Sequence, residues 1–302
     1  FHRDPFAMTR SLAIFGDSLM DAGNLDQVAN IVGQDPFQES IYNRGGNVKA
    51  ADGPVFGEHI AQQLGASLGS RQLANLITLP LLRFTGFGSK QLRNYAYAGA
   101  TSGNAGSSRS GLASSPIGLR AQTRAFAAST SSSKDLDALL MAGSNDITDL
   151  VANPDPLKAF LATPGRRDDR QFEKQAARRI VNNIVAAYDN ITGLVDETVI
   201  LGLSPLSATP FVGDQASRLT PSLRDHLLVL VDGIASRVNQ GLASRLDARP
   251  DVLVLDGFEV WRSVSNPAFL DDVHPSSATS GLLAGEVVGL IQASDLQSFG
   301  FA

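Results

Sequence analysis

The sequence predicts an α/β fold: a three-layer α/β/α sandwich around a mainly parallel central sheet. Two observations lead there. Short runs that are apolar throughout alternate with longer runs whose apolar residues recur every three or four positions. Each short run also ends at a chain-turning residue. Strands apolar on both faces suit a parallel sheet covered by helices on both sides. Strand–helix alternation then implies right-handed crossovers between neighbouring strands.

The elements follow in chain order. Leu12-Ala13-Ile14-Phe15 is the first strand and stops at Gly16. Pro54 to Leu64 is a helix. Leu119 to Ala128 is another, with Leu119, Thr123 and Phe126 on one side. Leu136 to Ala142 is the second strand, ending at Gly143. Phe172 to Leu194 is a long amphipathic helix, and Thr198 to Leu203 a strand ending at Ser204-Pro205. In Pro221 to Leu246 the residues Leu223, Leu227, Leu230, Ile234, Val238 and Leu242 repeat at helical spacing. Val252 to Leu255 is a strand ending at Asp256-Gly257. Ser276 to Ile291 closes the series, with Ser276 as the cap because Pro275 disfavours helix through His274. There is no internal repeat and no linker. Residues 9–302 read as one domain, and residues 1–8 as a leader or an expression remnant.

Composition narrows the chemistry. Of 302 residues, 43% are hydrophobic and 18% charged, which is globular composition and argues against disorder. The net charge is -5 with no basic cluster, so nucleic acid is not an expected partner. Cysteine is absent, which removes disulfides, zinc–thiolate sites and thiol nucleophiles. No run of ~18 apolar residues predicts a transmembrane helix. If Met8 is the start, Thr9-Arg10 leads directly into the first strand without room for a signal peptide. The expected compartment is then the cytoplasm, with a secreted chain whose signal has been removed as the alternative. No Walker loop or Gly-x-Gly-x-x-Gly turn follows a strand, and the histidines are scattered rather than clustered as metal ligands.

The strongest local signal is Phe15-Gly16-Asp17-Ser18-Leu19-Met20-Asp21-Ala22-Gly23-Asn24. A serine here stands just past the C-terminal end of a strand, the edge where open α/β sheets bind ligands. Its hydroxyl needs a nearby base to act as a nucleophile. Four histidines are candidates. His2 lies in the leader. His59 and His226 fall within helices and read as surface or packing residues. His274 follows Asp271-Asp272-Val273 in a loop after the last strand. An aspartate three residues upstream can fold back onto the imidazole and hold its tautomer; Asp272 competes for that role. Donors for an oxyanion are available from Asn145, in the loop Gly143-Ser144-Asn145-Asp146, and from Gly99, where the missing side chain allows close backbone approach.

Together these segments resemble the GDSL/SGNH hydrolases, most closely the larger GDSL lipases and esterases of plants and bacteria. The blocks that carry the resemblance are Gly16-Asp17-Ser18 with Asp21-Ala22-Gly23-Asn24, then Asn94-Tyr95-Ala96 with Gly99. Gly143-Ser144-Asn145-Asp146 and Asp271-Asp272-Val273-His274-Pro275 follow. The likeness runs from about Ile14 to Pro275. It implies a flavodoxin-like sandwich and a serine esterase or lipase. In that scheme Ser18 is the nucleophile, His274 the base and Asp271 its orienting carboxylate. The N–H groups of Ser18 and Gly99 and the Asn145 side chain would bind the oxyanion. Asp17 and Asp146 are assigned to supporting loop hydrogen bonds. No cofactor or metal is required, and the expected partner is a small-molecule or lipid ester. Rival readings are an acyltransferase using the same residues with an alcohol acceptor, and a non-catalytic binding protein. The stretches Ala66–Lys90 and Pro154–Arg170 do not match the family pattern. The first, rich in leucine and phenylalanine, is expected to be core packing ahead of an insertion that offers apolar surface to acyl chains.

Overall fold

A computed structural model gives the architecture. It describes residues 11–31, 41–42, 48–65, 92–131, 135–153, 166–296 and 299. The leader, the apolar stretch 66–90 and residues 154–165 of the second unmatched stretch lie outside the described residues.

Five parallel strands form the sheet: β1 (Ser11–Gly16), β2 (Leu92–Asn94), β3 (Leu136–Met141), β4 (Thr198–Leu201) and β5 (Val252–Leu255). Their order is β2-β1-β3-β4-β5. β1 is therefore interior, and Ser11 to Gly16 lie opposite Leu136 to Met141. Alternate side chains of each strand enter opposite layers, as the pleat requires. Ala13 and Phe15 of β1 join one core, with Leu136, Ala138 and Leu140 of β3. Leu12 and Ile14 join the other, with Leu139 and Met141.

The first layer is built from α3 (Leu119–Ser129), α5 (Arg166–Ile191) and α7 (Pro221–Leu246). The second contains α2 (Phe56–Gln63), α8 (Gly257–Arg262) and α9 (Ser277–Gln292). Helices α1 (Asn24–Ile31), α4 (Ser144–Ala152) and α6 (Pro210–Ser217), with a 3₁₀ turn at Leu206–Ala208, complete the described elements. The three-layer α/β/α sandwich with its parallel sheet is the predicted class.

Several boundaries differ from the sequence reading. α5 begins at Arg166, not Phe172, so the last part of the unmatched Pro154–Arg170 stretch is helix. It ends at Ile191 rather than Leu194, where Gly193 takes a positive φ of 77° and turns the chain. β4 stops at Leu201 rather than Leu203, although Gly202 N–H still donates to Leu255 O of β5 (2.8 Å). Leu203 N–H donates to the Asn239 side chain instead (2.7 Å). The segment Gly143-Ser144-Asn145-Asp146 is a helix start rather than a loop. Gly143 adopts φ 125°, and a Cβ there would meet Ile180 at 2.9 Å. Ser276 caps α9 as expected, its hydroxyl accepting from Thr279 N–H (3.2 Å).

Candidate active site

The strand order fixes where a site can form. From β1 the chain moves to β2 on one side and to β3 on the other, so connections diverge between β1 and β3. The crevice at the C-terminal ends of such strands is the natural ligand position in a parallel sheet. Ser18 follows β1 there, and Asn145 follows β3.

The turn after β1 is held by buried side chains. Gln122 of α3 is fully buried and spans the end of the strand. Its Oε1 accepts from Gly16 N–H (2.8 Å), and its Nε2 donates to Gly16 O (2.7 Å) and Ile117 O (2.8 Å). Asp17 accepts from Leu19 N–H (3.2 Å). Asp21 gathers four N–H donors: Gly23 (2.8 Å), Asn24 (2.5 Å), Leu25 (3.1 Å) and Ala98 (2.8 Å). The last ties the turn to the Gly99 loop. Asn24 Nδ2 donates to Ala96 O (2.8 Å), and Asn94 Nδ2 donates to Met20 O (2.6 Å). Two blocks far apart in sequence are thus locked together by amides and one carboxylate.

Ser18, His274 and Asp271 meet at the sheet edge. Ser18 Oγ lies 2.8 Å from His274 Nε2, and His274 Nδ1 lies 2.5 Å from Asp271 Oδ2. Asp271 accepts with both oxygens, so the pattern assigns the imidazole proton to Nδ1 and leaves Nε2 to accept from Ser18. Asp271 Oδ1 takes the N–H groups of Val273 and His274, both at 2.7 Å. Tyr42 Oη donates to Oδ2 (2.9 Å), a contact without any signal in the sequence. Burial would raise the Asp271 carboxyl. The His274 hydrogen bond and charge, with the two backbone donors, outweigh it and hold Asp271 well below the usual carboxylate range.

Asp272 points elsewhere. Its side chain pairs with Arg109 (3.2 Å) and its carbonyl accepts from Phe211 N–H (2.7 Å). Arg109 also lies over the Phe211 ring at 4.6 Å. The competition left open by the sequence is therefore resolved geometrically: Asp271, not Asp272, contacts the imidazole.

The candidate donors are Gly99, in the segment that Ala98 N–H ties to Asp21, and Asn145, on the wall of the cleft. Gly99 has φ 79°, a left-handed conformation that glycine adopts without cost, and a Cβ would meet Leu112 at 2.8 Å. Among the described residues, neither the Ser18 nor the Gly99 backbone N–H donates a hydrogen bond. Asn145 lines the same cleft as Ser18 and His274, and its Nδ2 donates to Ala100 O (2.9 Å). Asp146 accepts from Ser102 N–H (2.7 Å) and Oγ–H (2.9 Å), which anchors the segment after Gly99 to α4. Burial pushes the Asp146 carboxyl up, against those two donors. Burial likewise raises Asp17 to about 6.

Two other histidines stand apart. His59 on α2 lies 3.0 Å from Ser277 Oγ, and His226 on α7 lies 3.2 Å from Asp169. His2 is outside the described residues. Among the described residues no group of three or more His, Asp or Glu side chains is disposed to hold a metal ion, and no helix is long and apolar enough to cross a membrane.

A cleft of about 910 Å³, counting its open mouth, spreads from Ser18 and His274 over the ends of β3 and β4. On the α2/α9 side its walls are Met141, Leu201, Val260, Trp261, Leu283 and Val287. On the α4/α6 side they include Ser144, Thr148, Ser204 and Thr209.

Solved structures similar to this chain include a lipolytic protein of the G-D-S-L family from Veillonella parvula. It is 13% identical, with 94% of this chain and 99% of that one covered and a TM-score of 0.46. An acetylxylan esterase from Geobacillus stearothermophilus is 15% identical, with 96% and 95% covered and a TM-score of 0.44. An extracellular lipase from Streptomyces rimosus is 12% identical, with 94% and 100% covered and a TM-score of 0.46. No curated protein matches the sequence. The family model described as GDSL-like Lipase/Acylhydrolase matches residues 12–287, which takes in every block quoted above. The chain belongs to this family of hydrolases.

Proposed function

We propose that this protein hydrolyses carboxylic esters through an acyl-enzyme on Ser18. The observation that carries the reading is the continuous hydrogen-bonded line Ser18 Oγ, His274 Nε2, His274 Nδ1, Asp271 Oδ2. A serine with a base at hydrogen-bonding distance, itself oriented by a carboxylate, is the arrangement nucleophilic acyl transfer requires.

Each step uses an atom already named. His274 Nε2 takes the Ser18 proton as Oγ bonds to the ester carbonyl carbon. The carbonyl π pair moves to oxygen, where the N–H groups of Ser18 and Gly99 and the Asn145 amide receive the charge. Asp271 stabilises the imidazolium. The intermediate collapses, the alkoxide leaves, and His274 protonates it. Water then attacks the acyl carbon with His274 again as base, the bond to Oγ breaks as His274 Nε2 returns its proton to Oγ, and the carboxylic acid departs. Asp17 and Asp146 act through the loop hydrogen bonds already described.

The test is direct. Ser18→Ala should abolish p-nitrophenyl ester turnover while far-UV circular dichroism stays native. An alkyl phosphonate should add one adduct to the wild-type chain, mapped to the peptide holding Ser18, and none to the variant. Persistent turnover in Ser18→Ala refutes the assignment. An added alcohol acceptor distinguishes hydrolysis from acyl transfer by the products formed.

A further inference from the structure

The loop that presents Asp271 and His274 is closed by its own backbone. Leu270 N–H donates to His274 O (2.7 Å), and Phe269 bridges to Pro275. Two contacts then tether it through Asp272. The Asp272 carbonyl accepts from Phe211 N–H of α6, and its carboxylate accepts from Arg109 Nη1. Arg109 belongs to a turn that also backs the candidate oxyanion donors. Ser107 N–H donates to Gly99 O (2.6 Å), and Leu112 closes the turn by donating to Ser107 O (2.9 Å). Asp149 of α4 accepts from Ser107 Oγ–H (2.5 Å), Ser108 N–H (2.9 Å) and Arg109 N–H (2.9 Å). One turn earlier on that helix stands Asn145. Residues 107–112 therefore touch the Gly99 segment, the helix of Asn145 and, through Arg109, the loop of His274.

We propose that Arg109 is a positioning residue for the proton transfers: it fixes the loop of His274 relative to Gly99 and Asn145. This rests on the ester-hydrolase reading above. Arg109 is not among the described residues that line the cleft, so it acts through the loop and not on the substrate. The side chains of Arg109 and Asp272 are 23% and 55% exposed, and an ion pair this open to water adds little to stability. Arg109 Nε is nonetheless buried without a hydrogen-bond acceptor among the described residues, a desolvation cost that the Phe211 ring face helps to offset. What the contact supplies is placement. His274 must reach Oγ as a base and the departing oxygen as an acid while the oxyanion stays on its donors. A misplacement of about 1 Å among such groups costs on the order of 10²-fold.

Leaving-group dependence separates positioning from packing. p-Nitrophenolate departs without a proton, whereas an alkoxide needs one from His274. Arg109→Met keeps an unbranched apolar chain over Phe211 and removes the charge. In this variant kcat/KM should fall about threefold for p-nitrophenyl acetate and about thirtyfold for ethyl acetate, with KM for the first within about twofold of wild type. Equal losses on the two esters overturn the proposal, as does wild-type activity on ethyl acetate.

A second variant guards against a chain that fails to fold. Asp272 is exposed, so Asp272→Asn should keep the native far-UV circular dichroism and Tm. It should still show the same preferential loss on ethyl acetate. The double variant Arg109→Met/Asp272→Asn should be no slower than the slower single one, because both substitutions break one contact. Losses that multiply in the double variant overturn the proposal. Failure of the serine reading looks different: Ser18→Ala would keep turning over p-nitrophenyl acetate. Turnover that requires Ser18 but is untouched by Arg109→Met defeats the positioning role alone.

Discussion

Replacing Gln122 by leucine tests how the turn bearing Ser18 is held. Leucine keeps roughly the volume of glutamine and removes every polar contact. Three hydrogen bonds disappear: from Gly16 N–H, to Gly16 O and to Ile117 O. Gly16 O keeps a second donor in Tyr97 N–H at 3.1 Å. Gly16 N–H and Ile117 O are left without a partner in a fully buried position. Each orphaned group costs about 1–3 kcal/mol, so the sum is roughly 2–6 kcal/mol. At about 2 °C per kcal/mol for a chain of this size, Tm should fall by roughly 4–12 °C. Activity should fall further than stability accounts for, because Gly16 sets the path to Ser18. A displacement of about 1 Å at a nucleophile costs on the order of 10²-fold. Calorimetry gives Tm, and p-nitrophenyl acetate hydrolysis well below Tm gives kcat/KM. An unchanged melting temperature would show that Gln122 is not the clamp, and a lowered Tm with full activity would show that the clamp does not position Ser18.

Three further outcomes are expected. Asn145→Ala should lower kcat by about 10²–10³-fold with little change in KM, since the amide is proposed to act on the transition state; an equal effect on substrate binding alone would contradict this. Asp17→Asn bears on pH. Its folded-state carboxyl titrates near about 6 against an ordinary 3.8, so the folded protein holds the proton more tightly than the unfolded chain. Wild-type stability therefore drops as pH rises from about 4 to 6, by up to about 3 kcal/mol at ~1.36 kcal/mol per pH unit. Asparagine cannot ionise, so the variant should melt higher than wild type at pH 8 and equally at pH 4, and a constant difference across that range would refute the cause. Tyr42→Phe removes one of two donors on Asp271 Oδ2. The carboxylate then pulls harder on the imidazolium, so the acid limb of kcat/KM against pH should move upward, with a loss of several-fold in rate at neutral pH; an unmoved limb would reduce Tyr42 to packing.

Much of the scaffold was legible because burial leaves a pattern in sequence. β1, β3, β4 and β5 are runs apolar on both faces, and α7 repeats leucine and valine at helical spacing over its whole length. β2 left no such pattern: three residues with Arg93 at the centre are too few to show one. The start of α5 was hidden because Arg166 to Arg170 carry no apolar stripe. Gly143-Ser144-Asn145-Asp146 reads as a turn from composition, and only the positive φ of Gly143 reveals a helix entry. At the site, the sequence offered the chemistry-bearing residues as candidates, and the resemblance to the GDSL/SGNH hydrolases implied their roles. What holds them could not be read. Gln122, Tyr42 and Arg109 contact partners 106, 229 and 163 residues away, and nothing local marks those pairings.

The line from Ser18 to His274 spans 256 residues. During synthesis at ~5–20 residues per second, roughly 13–50 s separate the making of the hydroxyl from the making of its base. Throughout that interval the nascent polypeptide carries a serine no more reactive than a free alcohol. On the proposed mechanism, competence for acylation arrives only when the distal loop docks, and a ribosome-stalled fragment ending before residue 271 should resist phosphonate labelling even if its early strands have folded.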